Sequence, residues 1–262
     1  MFISGHGIWL ILIVFFAPIL AGACETGFRL GRKAAARTAG NTESQLGVVA
    51  GGILAVLGLL LGFTMSMAVT RFEVRKQLVL DEANAIGTSY LRTSLLPAPD
   101  STEIANLLRE YVGVRLQYAD VRGDLDRLRT SREQALHLQN EFWTRAVACG
   151  QRDPSPVRSG LLLQSLNQVI DLESARWMAF QNHVPPTVVY VNFVVALLAT
   201  ILVGYAFGRE GRRQVFATTM LVLAITVVLA VIVDLDQPRQ GFIKVSQQPM
   251  FDLQHRLLTS TQ

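Results

Sequence analysis

Not one Asp, Glu, Lys, Arg or His interrupts residues 8–23, 46–69, 187–207 or 215–233. A bilayer's hydrocarbon core takes about 20 apolar residues as a helix. Unpaired backbone groups cannot be left in lipid, so each run is expected to be helical. The last three runs reach that length and the first falls slightly short. Charge is scarce throughout, at 17% of 262 residues, against about 25% in a soluble domain.

Other absences exclude whole classes of function. Cys24 and Cys149 are the only cysteines and form no CxxC pair, which excludes a disulfide framework or a cysteine zinc site. The four-span layout puts them on opposite sides of a membrane, so no bridge between them is expected. His6, His137, His183 and His255 show no HExxH spacing, and no GxSxG, P-loop or GxGxxG occurs. Neither an enzyme nor a resident cofactor or metal is expected. The net charge of +4 is not gathered into a stripe with interleaved aromatics, so nucleic acid is not an expected partner. Residues 1–7 contain no Lys or Arg, so the first run is taken as a span and not as a cleaved signal peptide. Pro18 within it is tolerated in a membrane helix.

What is present is an arrangement of two apolar pairs around a long polar insert. The expected fold class is all-α: four transmembrane helices, with a coiled-coil-like helical bundle outside the membrane between the second and third spans. The expected divisions are residues 1–69 (spans 8–23 and 46–69), 70–186 (bundle), 187–235 (spans 187–207 and 215–233) and 236–262 (tail). Orientation follows from short-loop basic charge, which marks the cytoplasmic side. The loop 25–45 carries Arg29, Arg32, Lys33 and Arg37, and the turn 208–214 carries Arg209, Arg212 and Arg213. That puts both loops inside and places the termini and bundle outside. Arg71, Arg75 and Lys76 pull the other way.

Within the insert the period is helical. Ile104, Leu107, Tyr111, Val114, Tyr118, Val121, Leu125 and Leu128 repeat at 3,4,3,4,3,4,3, an a/d seam. Phe72, Val79, Ala83, Ile86 and Tyr90 form a second stripe broken by Lys76, and Leu163, Leu166, Ile170, Trp177 and Phe180 a third broken by Glu173. Pro97, Pro99, Pro154, Pro156, Pro185 and Pro186 separate the segments, with Ser101 or Thr102 expected to cap the second. A single helix over 102–148 would run about 70 Å, too long to return beside its neighbour. A break is expected near Thr130–Ser131, where the phase lapses at Arg132, with Gly123 as the second candidate. No break is expected between the second span and the helix following it.

Three groups of residues are candidates for function. Glu82, Asn84, Tyr90 and Arg92 put polar groups on a helix whose Glu82–Ile86–Tyr90 spacing shares one face, and Asp171 and Arg176 are available as partners. Structural pairing inside the bundle and a functional site are both open readings. Asp234 and Asp236 close the fourth span, either as an acidic ring or cation site at the membrane edge or as a solvated interface cap. Gly47, Gly51, Ala55, Gly58 and Gly62 form a small-residue face on the second span, and Gly204 and Gly208 repeat the spacing in the third. Packing within one subunit is the preferred reading of these, ahead of contact between copies or lining of a pore.

Five strings carry a resemblance: GLLLGFTMS at 58–66, DEANAIGTSYLR at 81–92, LNQVID at 166–171, DLDQPRQG at 234–241 and VSQQP at 245–249. They resemble the bacterial bestrophin-like family of unknown function over nearly the whole stretch from Leu46 to Leu253. The resemblance implies remote kinship with bestrophins, which are pentameric chloride channels with four spans per subunit. It also implies termini and bundle in the cytosol, opposite to the charge reading. The partners it implies are the lipid bilayer, further copies of the chain and an inorganic ion. A non-conducting sensor or scaffold, whose bundle binds a partner, is the other reading.

Overall fold

The computed structural model describes residues 5–37, 43–120, 125–152, 156–237 and 241–259. All regular structure among the described residues is helical. The helices are α1 (Gly5–Ala35), α2 (Glu43–Thr93), α3 (Asp100–Asp120), α4 (Leu125–Arg152), α5 (Pro156–Gln181), α6 (Pro186–Glu210), α7 (Val215–Asp236) and α8 (Gln248–Thr259). They form two compact units. One comprises residues 1–72 and 183–244, the other 73–182 and 245–262.

α2 is a single helix of 51 residues, about 77 Å long at 1.5 Å per residue. No proline interrupts it, so the apolar run 46–69 continues without a break into charged helix, as its sequence implied. In the first unit α1, the apolar part of α2, α6 and α7 bury Leu20, Leu57, Leu61, Ala196, Ala199, Ile225 and Leu229. α6 starts on Pro185–Pro186 and ends at Gly211, whose φ of 67° supplies the left-handed cap opening the basic turn. Three stretches among the described residues are long and apolar enough to cross a membrane, within Gln45–Thr93, Pro156–Glu210 and Val215–Asp236. The sequence suggested four. The first of the four, the run 8–23, lies partly outside the described side chains, and Glu25, Arg29, Arg32 and Lys33 follow it closely.

The second unit is the charged part of α2 with α3, α4, α5 and α8, packed around Ile86, Ile104, Leu108, Tyr111, Phe142, Leu166 and Met250. α3 and α4 run antiparallel. Asp100 near the start of α3 meets Arg152 at the end of α4, and Tyr111 meets Gln139. α4 passes through Thr130–Ser131 unbroken, contrary to expectation. The phase lapse at Arg132 has another cause: its guanidinium turns inward to Glu173 and lies over the Trp177 ring, 4.2 Å from its centroid. Gly123, the second candidate, lies outside the described residues, as do the side chains of Tyr118, Val121 and Leu125. Ser101 and Thr102 sit inside the first turn of α3 and do not cap it. The face α3 buries includes Ala105, Leu108, Val112 and Leu116, wider than an a/d seam and suited to contacting more than one neighbour.

Arg75, one of the three cations expected to flank the membrane, is buried. It donates to the carbonyls of Ala179 and Asn182 at 3.0 Å, taking up orphan acceptors where α5 ends.

Candidate functional site

The second unit holds a cluster of charged side chains in its core. Glu82 is fully buried on α2, with Arg115 of α3 at 1% exposure and Glu173 of α5 at 1%. Arg115 Nε lies 2.7 Å from Glu82 Oε1, and its Nη2 donates to Oε2 at 3.1 Å. Arg176 donates to Glu82 Oε2 and, at 3.2 Å, to the Gln247 side-chain oxygen. The Tyr111 hydroxyl donates to Glu82 Oε1 at 3.1 Å and accepts from Gln139 at 3.0 Å. Arg132 Nε donates to Glu173 Oε1 at 3.3 Å, and Arg115 Nη1 stands 3.8 Å from the same oxygen.

Three guanidiniums thus share two carboxylates. Burial alone would raise the pKa of Glu82, but the charges and hydrogen bonds of Arg115 and Arg176 outweigh it and hold the carboxyl below its ordinary value. Burial pushes the Tyr111 phenol up, with Glu82 adding to it. Arg115 is also held above its ordinary value: burial opposes its charge, but Glu82 favours it. These three groups keep fixed charge states at neutral pH. Such a cluster ties α2, α3 and α5 into one register and gives the core a specific partner set.

Of the residues nominated from sequence, Glu82 and Arg176 meet here. Tyr90 belongs to a separate group: Arg109 lies over its ring, 5.0 Å from the centroid, donates to its hydroxyl, and donates to the Leu257 carbonyl at 3.2 Å. Arg92 donates to the Leu161 carbonyl at 2.6 Å. Asn84 and Asp171 are exposed, and Asp171 accepts from Asn167 at 2.9 Å, so it is no partner of the cluster. Sequence reasoning missed Arg115, Tyr111, Gln139, Arg132 and Glu173. The signal was available for two of them: Glu173 interrupts an apolar stripe and Arg132 marks a phase lapse. A charge where a helix must be apolar means a buried partner.

In the first unit, Asp234 and Asp236 are engaged by backbone amides. Asp234 is fully buried and accepts from the N–H groups of Phe242 at 2.8 Å and Ile243 at 2.9 Å. The chain can close on it because residue 241 is glycine; a Cβ there would stand 2.3 Å from Asp234 Oδ1. Asp234 is therefore not a solvated cap. Asp236 accepts from Val184 N–H at 2.9 Å, and His183 Nδ1 lies 3.2 Å from its other oxygen. This pair lines a cavity of about 680 Å³ together with Phe16, Val189, Tyr190 and Phe193.

The glycines divide into two kinds. Gly204 and Gly208 of α6 lie against α1, where an added Cβ would stand 2.0 Å from the Cys24 carbonyl oxygen and 2.2 Å from that of Phe28. α1 answers with Gly27 and Gly31, equally close to the Ile201 and Tyr205 carbonyls. These four form a reciprocal small-residue crossing of two parallel helices. The α1 pair was not nominated, because it lies beyond the apolar run ending at residue 23. On α2 the preferred reading does not hold. Gly47, Gly51, Gly58 and Gly62 are exposed, and a Cβ at any of them would meet nothing within 4 Å. Their face packs on nothing among the described residues. α2's opposite side is held by a polar contact at span depth: buried Asn192 of α6 donates to Thr64 Oγ1 at 2.8 Å. The search for charge alone passed over it.

A family model described as the Bestrophin-like domain matches residues 15–250. The chain belongs to the Bestrophin-like family. Its fold is similar to solved structures of a bacterial bestrophin homolog from Klebsiella pneumoniae. One point mutant of that protein matches with a TM-score of 0.72 at 14% identity, covering 95% of this chain and 98% of that one. Another gives 0.67 at 14% identity, covering 92% and 98%. A structure described as a membrane protein gives 0.73 at 13% identity, covering 95% and 98%. A search of curated proteins finds no match.

Proposed function

We propose that this Bestrophin-like chain is one subunit of an oligomeric, ion-conducting membrane protein, in which the glycine face of α2 lines or borders the pore. The observation that carries this reading is the open face at Gly47, Gly51, Gly58 and Gly62, on an apolar helix whose other side is packed. Small residues allow close approach of helices or leave room for a path between them. Family membership supports the same reading. α1 is then the fourth span, because it lies parallel to α6 along the Gly27–Gly31 and Gly204–Gly208 crossing. The charged part of α2 and the helices packed on it form the bundle outside the membrane, with no catalytic role.

The test is planar-bilayer recording of the purified protein under anion and cation gradients, with particle mass measured in the same preparation. Conductance from an oligomer supports the reading, and leucine at Gly51 or Gly58 is expected to abolish it. A silent monomer or dimer would favour the sensor or scaffold instead. For orientation, the basic ends of α1 and α6 are read as facing the bacterial cytoplasm, and the commitment of Arg75 to α5 removes one opposing cation. Cys149 is buried, so a cysteine placed at exposed Asn140 is the reporter. Its labelling in intact cells is expected; labelling only after permeabilisation reverses the orientation.

A further inference from the structure

We infer that the basic end of the first unit is a binding surface for the phosphate headgroups of anionic lipids. The inference rests on the reading that this unit spans the bilayer, whichever way round. Two segments far apart in sequence converge there. Arg29 of α1 and Arg213 of the α6–α7 turn both bind Oε1 of Glu25, at 2.8 and 3.1 Å. The Arg213 guanidinium also lies over the Phe28 ring, 4.7 Å from its centroid. Arg32 and Lys33 on α1, Arg37 just beyond its end and Arg212 in the turn are exposed around this junction. With Arg209, the segments 25–37 and 208–214 carry seven cations against two carboxylates, Glu25 and Glu210, and one more, Glu43, opens α2. Glu25 is already shared between two of the cations, so the surface keeps a large positive excess.

The depth of this surface selects its partner. Gly31 packs on α6 so closely that a Cβ would stand 2.2 Å from the Tyr205 carbonyl oxygen and 3.0 Å from Arg209 N. Arg29, Arg32 and Lys33 therefore stand level with the last turn of α6, where its uncharged run ends at residue 207. The α7 run begins at residue 215, and Val215 and Phe216 are 65% and 78% exposed. An apolar foot thus stands directly below the cations. A phosphodiester on an acyl chain meets both: guanidinium hydrogen bonds above and apolar contact beneath. A zwitterionic headgroup brings its own cation into the same field and is repelled by it.

The test uses the full-length protein in detergent, titrated with phosphatidylglycerol or phosphatidylcholine, with bound lipid read by native mass spectrometry. Phosphatidylglycerol is expected to be retained over phosphatidylcholine. The combined Arg29→Gln, Arg32→Gln, Lys33→Gln and Arg212→Gln variant is expected to weaken its binding about fivefold per charge removed. Replacing the three arginines by lysine should keep most of it, and Arg127→Gln with Arg129→Gln in the other unit should change nothing. Arg213 is left in place because it holds Glu25 and Phe28. The inference is overturned by unchanged binding in the glutamine variant, by equal retention of both lipids, or by equal weakening from the α4 control. Competition by inorganic phosphate at matched concentration would also overturn it, assigning the surface to a soluble anion. Lipid binding without conductance would sink the channel reading alone; conductance without lipid selectivity would sink this one alone.

Discussion

Removing the carboxylate of Glu82 should destabilise the chain severely. In Glu82→Ala, Arg115 keeps its place at 1% exposure and Arg176 is only slightly more exposed at 10%. Arg115 is left facing the more distant Glu173, at 3.8 Å. Stripping one partner from a buried ion pair costs about 3–5 kcal/mol, a large part of a typical total stability of about 5–15 kcal/mol. For a chain of this size that is a fall in Tm of roughly 6–20 °C. Thermal unfolding in detergent, followed by intrinsic fluorescence, suits the question because Trp177 lies under Arg132 beside the cluster. Asn84→Ala, two residues away and exposed, should stay within about 0.5 kcal/mol. A Glu82→Ala variant within roughly 3 °C of wild type would refute the reasoning. The pH profile adds a check of sign. The carboxyl of Glu82 is held below its ordinary value in the folded chain. Its contribution is therefore present above the unfolded pKa of about 4.3 and is lost as pH falls through the lower folded value. Glu82→Gln should flatten the acid limb of the stability curve without changing its shape above neutrality.

The remaining predictions separate elements that look alike in sequence. Gly31→Leu should break the α1–α6 crossing and yield misfolded protein by size exclusion. Gly51→Leu, at the same spacing motif, should leave the subunit's far-ultraviolet circular dichroism unchanged. Gly241→Ala forces a Cβ against Asp234 and should cost about 1–3 kcal/mol through loss of its amide hydrogen bonds, seen as faster proteolysis beyond residue 237. Asn192→Leu removes one polar contact at span depth and should cost only about 0.6 kcal/mol, up to about 1.7, by unfolding in mixed micelles. Neither cysteine is in a disulfide, so mobility on gels should be the same with and without reductant.

Some features were readable because one local rule decides them. The continuity of α2 from its apolar run into charged helix follows from the absence of proline along it and of glycine between Gly62 and Gly87. The helix ends at Gln181 and Pro186 follow from Pro185–Pro186. Membership of the family was readable from five short strings. Other features were misread because the local signal has two causes. The lapse at Arg132 reads as a break in a one-dimensional pattern, but in the fold it marks an inward-facing cation meeting Glu173 from 41 residues away. Arg75 reads as membrane-flanking charge until the end of α5 is brought against it. Gly51 and Gly204 carry the same spacing, yet only Gly204 has a helix pressed on it.

The sequence by itself determined composition-level and short-range matters: helices everywhere, apolar runs free of charge, and where chain breakers fall. These depend on backbone sterics and on transfer from water to an apolar medium, both set within a few residues. Only the tertiary structure decided which charges are buried together, which glycine face is covered, and that Asp234 is taken up by amides of the following segment. Those outcomes depend on which helix lies opposite. A carboxylate, a guanidinium or a missing Cβ takes its meaning from the group packed against it.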